Sequence, residues 1–452
     1  MREEWIKEFL DRQLSMDRRD FLRWTGITAL ASGMLGSFEW LTHEARAQGI
    51  NIGTAALEPV VNFPTTFCPA LVKPGEAISA EITLPENTVM ENAALLPGNG
   101  EGTPLKLRIE EISSENGKVE YLLHPESDTA PGPYTLEISI AGDSEKSKAT
   151  RLRSVWIMDR FKEEFTFGIL ADYHVGDDRA KKKAPKMDFT ALRNRILKEL
   201  DSMRPDFVLV AGDIVYSPGT YAKEYEIFHN ELSNGLSMPV FVAPGNHDLM
   251  KIEVGNFWHT EGYDFWKKYI GPSHFAFTYG RHRFIGLNTY DRADESRNVS
   301  KMVSTLNNKK DLWEMASGAL RQEQFDWFRE ELKDAADSGK TTTVFGHHTP
   351  IDDMVEKDPL SDEPLIAPGH FLKTMQDYGV RNYFYGHKHR NESDECDALA
   401  LECTSTSGSD LSRKDGWGFR IVEVKDDKFS HQFVEVEPHP KKKRIPSGFA
   451  TK

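Results

Sequence analysis

Aspartate, asparagine and histidine recur in five short clusters along this chain, each just after an apolar run of strand length. Phe165 to Leu170 leads to Asp172-Tyr173-His174, Phe207 to Val210 leads to Gly212-Asp213, and Val240 to Ala243 leads to Gly245-Asn246-His247-Asp248. Thr341 to Phe345 leads to Gly346-His347-His348-Thr349-Pro350, and Asn382 to Tyr385 leads to Gly386-His387-Lys388-His389. Taken singly, each cluster is what an ordinary polar strand end or helix cap looks like. Five in one stretch, all at the carboxyl ends of strands, are what an open α/β sheet presents around a ligand site. Carboxylate oxygen with imidazole nitrogen suits Zn, Mn or Fe, whereas Mg and Ca call for sets dominated by oxygen. The glycines let the backbone approach such a site without a Cβ in the way.

These clusters need a rigid frame, and the pattern after Arg160 supplies one. Apolar runs alternate there with amphipathic stretches such as Leu192, Ile196 and Leu200, the signature of a layered α/β domain. Phe275 to Tyr279 and Arg283 to Leu287, joined at Gly280, add a hairpin. Ahead of Arg160, Tyr134, Leu136, Ile138 and Ile140 alternate as a half-buried strand does, and so do Leu105, Leu107 and Ile109. Asn116-Gly117 between two such runs is a hairpin turn. The expectation is three parts: an address over residues 1–47, a small all-β sandwich over 48–160, and an α/β domain over 161–452 ending in the basic tail Lys441 to Arg444.

The address has the order of an export signal: Arg18-Arg19-Asp20-Phe21-Leu22-Arg23, a weakly apolar stretch from Trp24 to Phe38, then Ala45-Arg46-Ala47. The arginine pair followed by Phe-Leu resembles the twin-arginine signal, with Asp17 where that pattern usually carries Ser or Thr. That resemblance implies the twin-arginine export machinery as a partner and a periplasmic or extracellular destination. The apolar stretch falls short of the roughly 20 residues of a membrane span, so no stable span is expected after cleavage. A formal charge of −15 argues against binding duplex nucleic acid through the surface as a whole. Three cysteines are too few for a disulfide framework, although Cys396 and Cys403 form a candidate pair in an oxidising compartment.

In this order, Asp-x-His, Gly-Asp, Gly-Asn-His-Asp, His-x-Pro and Gly-His-x-His resemble the calcineurin-like metallophosphoesterases over about residues 162–425. The resemblance implies two central mixed sheets flanked by helices, a centre of two metal ions (Mn, Fe or Zn) and a phosphate ester substrate. Carried over residue by residue, Asp213 bridges the two ions. Asp172, His174 and His389 complete the first site, and Asn246, His348 and His387 the second. His348 is preferred to His347 because His348-Thr349-Pro350 fits His-x-Pro. Gly212-Asp213-Ile214-Val215-Tyr216 also fits the Gly-Asp-x-x-Tyr of purple acid phosphatases, whose tyrosine ligates ferric iron and which carry a β-sandwich first. Those enzymes usually have Gly where this chain has His174, so Tyr216 reads here as a packing residue.

The reaction implied is hydrolysis by water activated between two metals and attacking phosphorus in line, with His247 as general acid and Asp248 orienting it. A noncatalytic metal-dependent binding protein on the same scaffold is the rival class; missing ligands would favour it, and none is missing. Phosphodiesterases, phosphomonoesterases and pyrophosphatases share these residues, and the choice lies in loops such as 249–273 and 291–318. Arg179, Lys181, Lys182, Lys183 and Lys186 follow the first ligand cluster, where they can hold an anionic substrate.

Overall fold

The computed structural model describes residues 60–439 except 116, 143–145, 178–186, 255–257, 300, 302–313, 315 and 409–414. The export signal, Arg179 with the lysines after it, and the basic tail lie outside the described residues.

Nine strands come first: β1 (Val60–Phe63), β2 (Ala70–Val72), β3 (Ile78–Thr83), β4 (Val89–Pro97), β5 (Leu105–Lys106), β6 (Arg108–Glu115), β7 (Lys118–His124), β8 (Gly132–Ala141) and β9 (Lys146–Ile157). They form one sheet in the order β1-β3-β7-β6 and a second in the order β2-β9-β8-β4-β5. Both sheets bury alternate side chains in one shared core, with Ile78, Ala80 and Ile82 from β3 facing Leu136, Ile138 and Ile140 from β8. The β6–β7 hairpin closes with Glu115 paired to Lys118; Asn116 of the expected turn lies outside the described residues.

One expectation needs correcting. Leu105, Leu107 and Ile109 do not share a strand, because the chain changes sheets at Leu107: β5 pairs with β4, and β6 pairs with β7. Leu107 is buried in the shared core at the corner, while Leu105 is 38% exposed. Alternation survives a corner strand, so the period alone does not reveal the switch.

The second half begins with β10 (Phe165–Leu170), β11 (Phe207–Ala211) and β12 (Val240–Ala243), then the short pair β13 (Lys251–Val254) and β14 (Trp258–Glu261). After these come β15 (Phe275–Tyr279), β16 (His282–Gly286), β17 (Thr341–Phe345), β18 (Asn382–Tyr385), β19 (Glu392–Cys396), β20 (Leu399–Cys403), β21 (Trp417–Lys425) and β22 (Lys428–Glu437). They build two mixed sheets, β12-β11-β10-β21-β22 and β15-β16-β17-β18-β20-β19. Helices of more than one turn are α1 (Phe189–Ser202), α2 (Tyr221–Gly235), α3 (Gly262–Tyr269), α4 (Gln322–Asp337) and α5 (Pro368–Asp377). The Asp188 side chain starts α1 by accepting the Ala191 N–H at 3.0 Å, which satisfies a donor the first turn cannot.

The strands read as unbroken apolar runs because both of their faces are covered. In β11, Val208 and Val210 face α1 and α2, packing with Leu192, Ile196, Leu200 and Phe228. Phe207 and Leu209 face the other way, into a layer with Phe167, Phe241, Phe277, Phe284 and Phe345 that joins the two sheets. There Phe207 meets Phe284 of the second sheet edge-on, with ring centroids 5.0 Å apart. The far face of the second sheet is closed by Phe325, Phe328 and Leu332 of α4 and Phe371 of α5. Each such ring contributes roughly 1.5–3 kcal/mol by leaving water, which makes the paired sheets a stiff base for whatever projects from their ends.

Cys396 pairs with Leu399 and Cys403 with Glu392 in the β19–β20 ladder, so these cysteines occupy opposite ends of one hairpin. All three cysteines are free thiols.

Candidate metal centre

β10, β11 and β12 run parallel, as do β16, β17, β18 and β20, so each sheet delivers its carboxyl ends to one edge. Asp172 and His174 follow β10, Asp213 follows β11, and Asn246, His247 and Asp248 form a one-turn helix after β12. His347 and His348 follow β17, and His387 and His389 follow β18. Five of these residues, Asp172, His174, Asp213, His387 and His389, have φ between 46° and 63°. Non-glycine residues in that region cost on the order of 1–3 kcal/mol each and persist only where their surroundings enforce them. These five follow three strands, β10, β11 and β18, and the strain turns those ends back over a single point.

The side chains meet there. His389 Nε2 lies 3.1 Å from Asp172 Oδ1, His174 Nε2 lies 3.4 Å from Asp213 Oδ2, and His347 Nε2 lies 3.1 Å from Asp213 Oδ2. Ligand atoms of Asp172, His174 and His389 fall within 4.8 Å of one another, and so do those of Asp172, Asp213 and His347. Several buried polar atoms in this cluster have no hydrogen-bond partner: Asp172 Oδ2, both ring nitrogens of His174, Asn246 Oδ1 and His347 Nε2. A buried acceptor left so costs about 1–3 kcal/mol, and oxygen and nitrogen lone pairs crowded together this way suit a cation. The backbone leaves no slack: a Cβ on Gly245 would lie 2.2 Å from Asp213 Oδ1, and one on Gly386 would lie 2.8 Å from Asp172 Oδ2. The residues present therefore fit a pair of metal ions.

The electrostatics agree. Burial pushes the Asp172 carboxyl up, but the imidazoles of His389 and His174 outweigh it and hold the group well below the usual carboxylate range. Burial pushes His174 down, yet Asp172 and Asp213 raise it to about 10, and Asp213 with Asp172 likewise raises His347 to about 9.

Spacing favours His348 as a ligand, and ligand atoms of His347, His348 and His387 do fall within 4.8 Å of one another, but the hydrogen bonds of the two neighbouring rings favour His347. The Thr289 hydroxyl oxygen accepts the backbone N–H of His347 at 3.1 Å and of His348 at 3.0 Å, and lies 2.9 Å from His348 Nδ1. Having accepted twice, the hydroxyl donates its proton to Nδ1, which makes Nε2 the protonated nitrogen; Nε2 lies 3.1 Å from the Ala316 carbonyl. Both nitrogens of His348 are thereby engaged. In His347, Nδ1 lies 2.8 Å from the Ala211 carbonyl while Nε2 faces Asp213, the arrangement of a metal ligand oriented by a backbone oxygen. Burial, followed by His387 and His347, drives His348 well below the ordinary imidazole range, which keeps it neutral.

His247 and Asp248 also divide their work differently from the expectation. The Asp248 carboxylate is spent on backbone donors. Its Oδ2 accepts the N–H of Asp213 and of Gly245, and its Oδ1 the N–H of Ile214 and of Val215, at 2.7–3.1 Å. Asp248 thus holds the loop that carries Asp213. The His247 ring is oriented by Tyr216 instead: Nδ1 lies 2.8 Å from the Tyr216 carbonyl, and the two rings stack with centroids 5.2 Å apart. Tyr216 is buried and also meets the edge of His174.

Thr289 escaped the reading by motif, although the signal was present. β16 is another strand of the second sheet, and Asn288-Thr289 follows its carboxyl end as the other five clusters follow theirs. Replacing His347 with Ala is expected to remove one ion and most activity. His348→Ala, which leaves Asp213 and His347 in place, is expected to retain both ions at near wild-type stoichiometry. Elemental analysis of the two variants checks the assignment, and loss of metal from His348→Ala alone would reverse it.

Comparison with known proteins accords with this geometry. Residues 165–391, from the first residue of β10 to just past His389, match the family model described as calcineurin-like phosphoesterase. The serine/threonine-protein phosphatase CPPED1 of Mus musculus is 24% identical over 242 residues, covering 52% of this chain and 69% of that protein; the Homo sapiens form is 24% identical over 245 residues, with the same shares. Among solved structures, the purple acid phosphatase PPD1 from yellow lupin, Lupinus luteus, is 12% identical with a TM-score of 0.43, covering 83% of this chain and 71% of that one. A dimetal phosphatase from Danio rerio is 16% identical with a TM-score of 0.44, covering 61% of this chain and 98% of that one. This chain belongs to the calcineurin-like phosphoesterase family, hydrolases that act on phosphoric ester bonds.

Proposed function

We propose that this chain is an exported phosphoesterase that hydrolyses phosphate mono- or diesters at two metal ions. The observation that carries the proposal is the position of Asp213, whose Oδ2 lies 3.4 Å from His174 Nε2 and 3.1 Å from His347 Nε2. Asp172, His174 and His389 would hold one ion, Asn246, His347 and His387 the other, and Asp213 both. Nitrogen and oxygen donors in these proportions suit Mn, Fe or Zn. A pair of ions held by these residues would supply positive charge against the phosphate oxygens and would lower the pKa of the attacking water.

The chain's own contribution lies in preorganisation and in one proton. Asp248 and the strained strand ends fix the ligands before substrate arrives, so no reorganisation is needed during the reaction. His247, adjacent to Asn246 and 9% exposed, acts as the general acid. Its imidazolium gives the Nε2 proton to the departing oxygen while Nδ1 keeps its own proton and donates it in a hydrogen bond to the Tyr216 carbonyl. Export is supported by the arginine pair, the apolar stretch and the Ala-x-Ala site of residues 18–47. A variant of this reading, suggested by Gly-Asp-x-x-Tyr over residues 212–216, has Tyr216 on a ferric ion at the first site.

Three outcomes follow. Asp213→Asn is expected to empty both sites, because one carboxylate serves two ions; retention of two metals at wild-type affinity would remove the bridge. His247→Ala should keep both ions and lower turnover by about 10²–10⁴ on alkyl phosphates, whose basic leaving groups need a proton, while sparing nitrophenyl esters. Equal loss on both substrates would leave His247 as a phosphate clamp. Changing Arg18 and Arg19 to Lys should leave uncleaved protein in the cytoplasm, and unchanged export in a fractionation experiment would end the twin-arginine reading.

A further inference from the structure

The two segments that hold His247 are mounted on one face of one helix. α2 places Tyr221, Glu224 and Tyr225 at i, i+3 and i+4, so their side chains share a face. The Tyr221 hydroxyl donates to the His247 carbonyl, and the Tyr225 hydroxyl to the Asp248 carbonyl at 2.8 Å. Glu224 reaches the other segment: its Oε2 accepts the N–H of Tyr216 at 2.9 Å and of Ser217 at 3.0 Å, and its Oε1 accepts the Thr220 hydroxyl at 2.5 Å. Tyr216 in turn supplies the carbonyl that meets His247 Nδ1 and the ring that stacks on it. The far end of α2 is fastened by Arg153 of β9, whose guanidinium donates to the Ser233 and Leu236 carbonyls at 2.9 Å. That cation lies where the helix dipole is negative.

Glu224 is costly to keep where it is. It is 4% exposed and has no Lys or Arg partner among the described ion pairs, so only N–H and O–H donors sustain it. Burial pushes its carboxyl up to about 7. A buried carboxylate spent on two backbone donors is explained if what those donors carry must not move.

We infer that Glu224 is a positioning residue for the catalytic acid, acting through Tyr216 to fix which nitrogen of His247 holds the transferable proton. With the Tyr216 carbonyl anchored, Nδ1 keeps its proton and Nε2 alone exchanges one with the leaving oxygen. The N-terminal sandwich shares in this through Arg153, which sets the axial position of α2. The inference rests on the reading of His247 as general acid.

The test measures alkyl and nitrophenyl phosphate turnover, with metal content, for Glu224→Ala, Glu224→Gln, Glu224→Asp and Tyr221→Phe. Glu224→Ala is expected to retain both ions and to lose on the order of 10–100-fold in kcat on the alkyl ester, the scale of a small misplacement of a reacting group, with KM and nitrophenyl turnover little changed. Glu224→Gln, which keeps an acceptor for the two N–H groups, should recover most of the loss. Tyr221→Phe removes only the hydroxyl that holds the His247 carbonyl and tests the second anchor by the same alkyl-selective loss; if Glu224→Ala does not fold, Glu224→Asp, whose shorter side chain withdraws the acceptor from the Tyr216 and Ser217 N–H groups, decides the matter by that loss. Equal effects on both esters, or none, while His247→Ala remains alkyl-selective, would overturn the positioning role and leave the general acid standing. Absence of alkyl selectivity in His247→Ala itself would remove both.

Discussion

Two carboxylates, Asp172 and Asp213, are buried side by side, at 0% and 2% exposure, and the rest of the structure is organised around their charge. Isolated in a protein interior, each anion would cost several kcal/mol. Three features answer that cost. Imidazoles of His174, His347 and His389 crowd the oxygens. Asp248 braces the Asp213 loop with four N–H bonds. Gly245 and Gly386 allow the backbone to close over the carboxylates. Asp172 Oδ2, His347 Nε2 and Asn246 Oδ1, which have no hydrogen-bond partner, are atoms that would face a metal ion.

The stiffness of the frame follows from the same need. Positive φ at five ligand residues is tolerable only if the strands behind them cannot relax, and the phenylalanine layer between the sheets prevents that relaxation. The helices add a second level of control. α1 and α4 mainly cover sheet faces, whereas α2 also reaches the 216–217 and 247–248 segments, so one helix serves both the core and the chemistry.

Much of this was legible in the sequence, for physical reasons that also mark the limits. Runs such as Phe207 to Val210 announce buried strands because both faces are apolar, and a polar cluster at the end of each run marks the edge where ligands gather. Leu105 to Ile109 misled because alternation is the same on either side of a corner. Between His347 and His348, spacing pointed to His348, but the two rings differ in orientation, and orientation is set by Thr289, some 58 residues earlier in the chain. Asp248 was assigned to its sequence neighbour, yet a carboxylate goes where free N–H groups are, and these lie on the Asp213 loop. Glu224 is an ordinary acidic residue on a helix until folding brings its face against Tyr216.

The central claim is that Asp213 bridges two ions, with His347 rather than His348 on the second. Anomalous scattering from crystals of the metal-loaded protein tests it most directly. The account predicts two peaks about 3.5–4 Å apart, one on each side of the Asp213 carboxylate, with His347 Nε2 bonded to one of them and His348 still on Thr289. A single peak, or two peaks with Asp213 bonded to only one and His348 in the coordination shell, would contradict it.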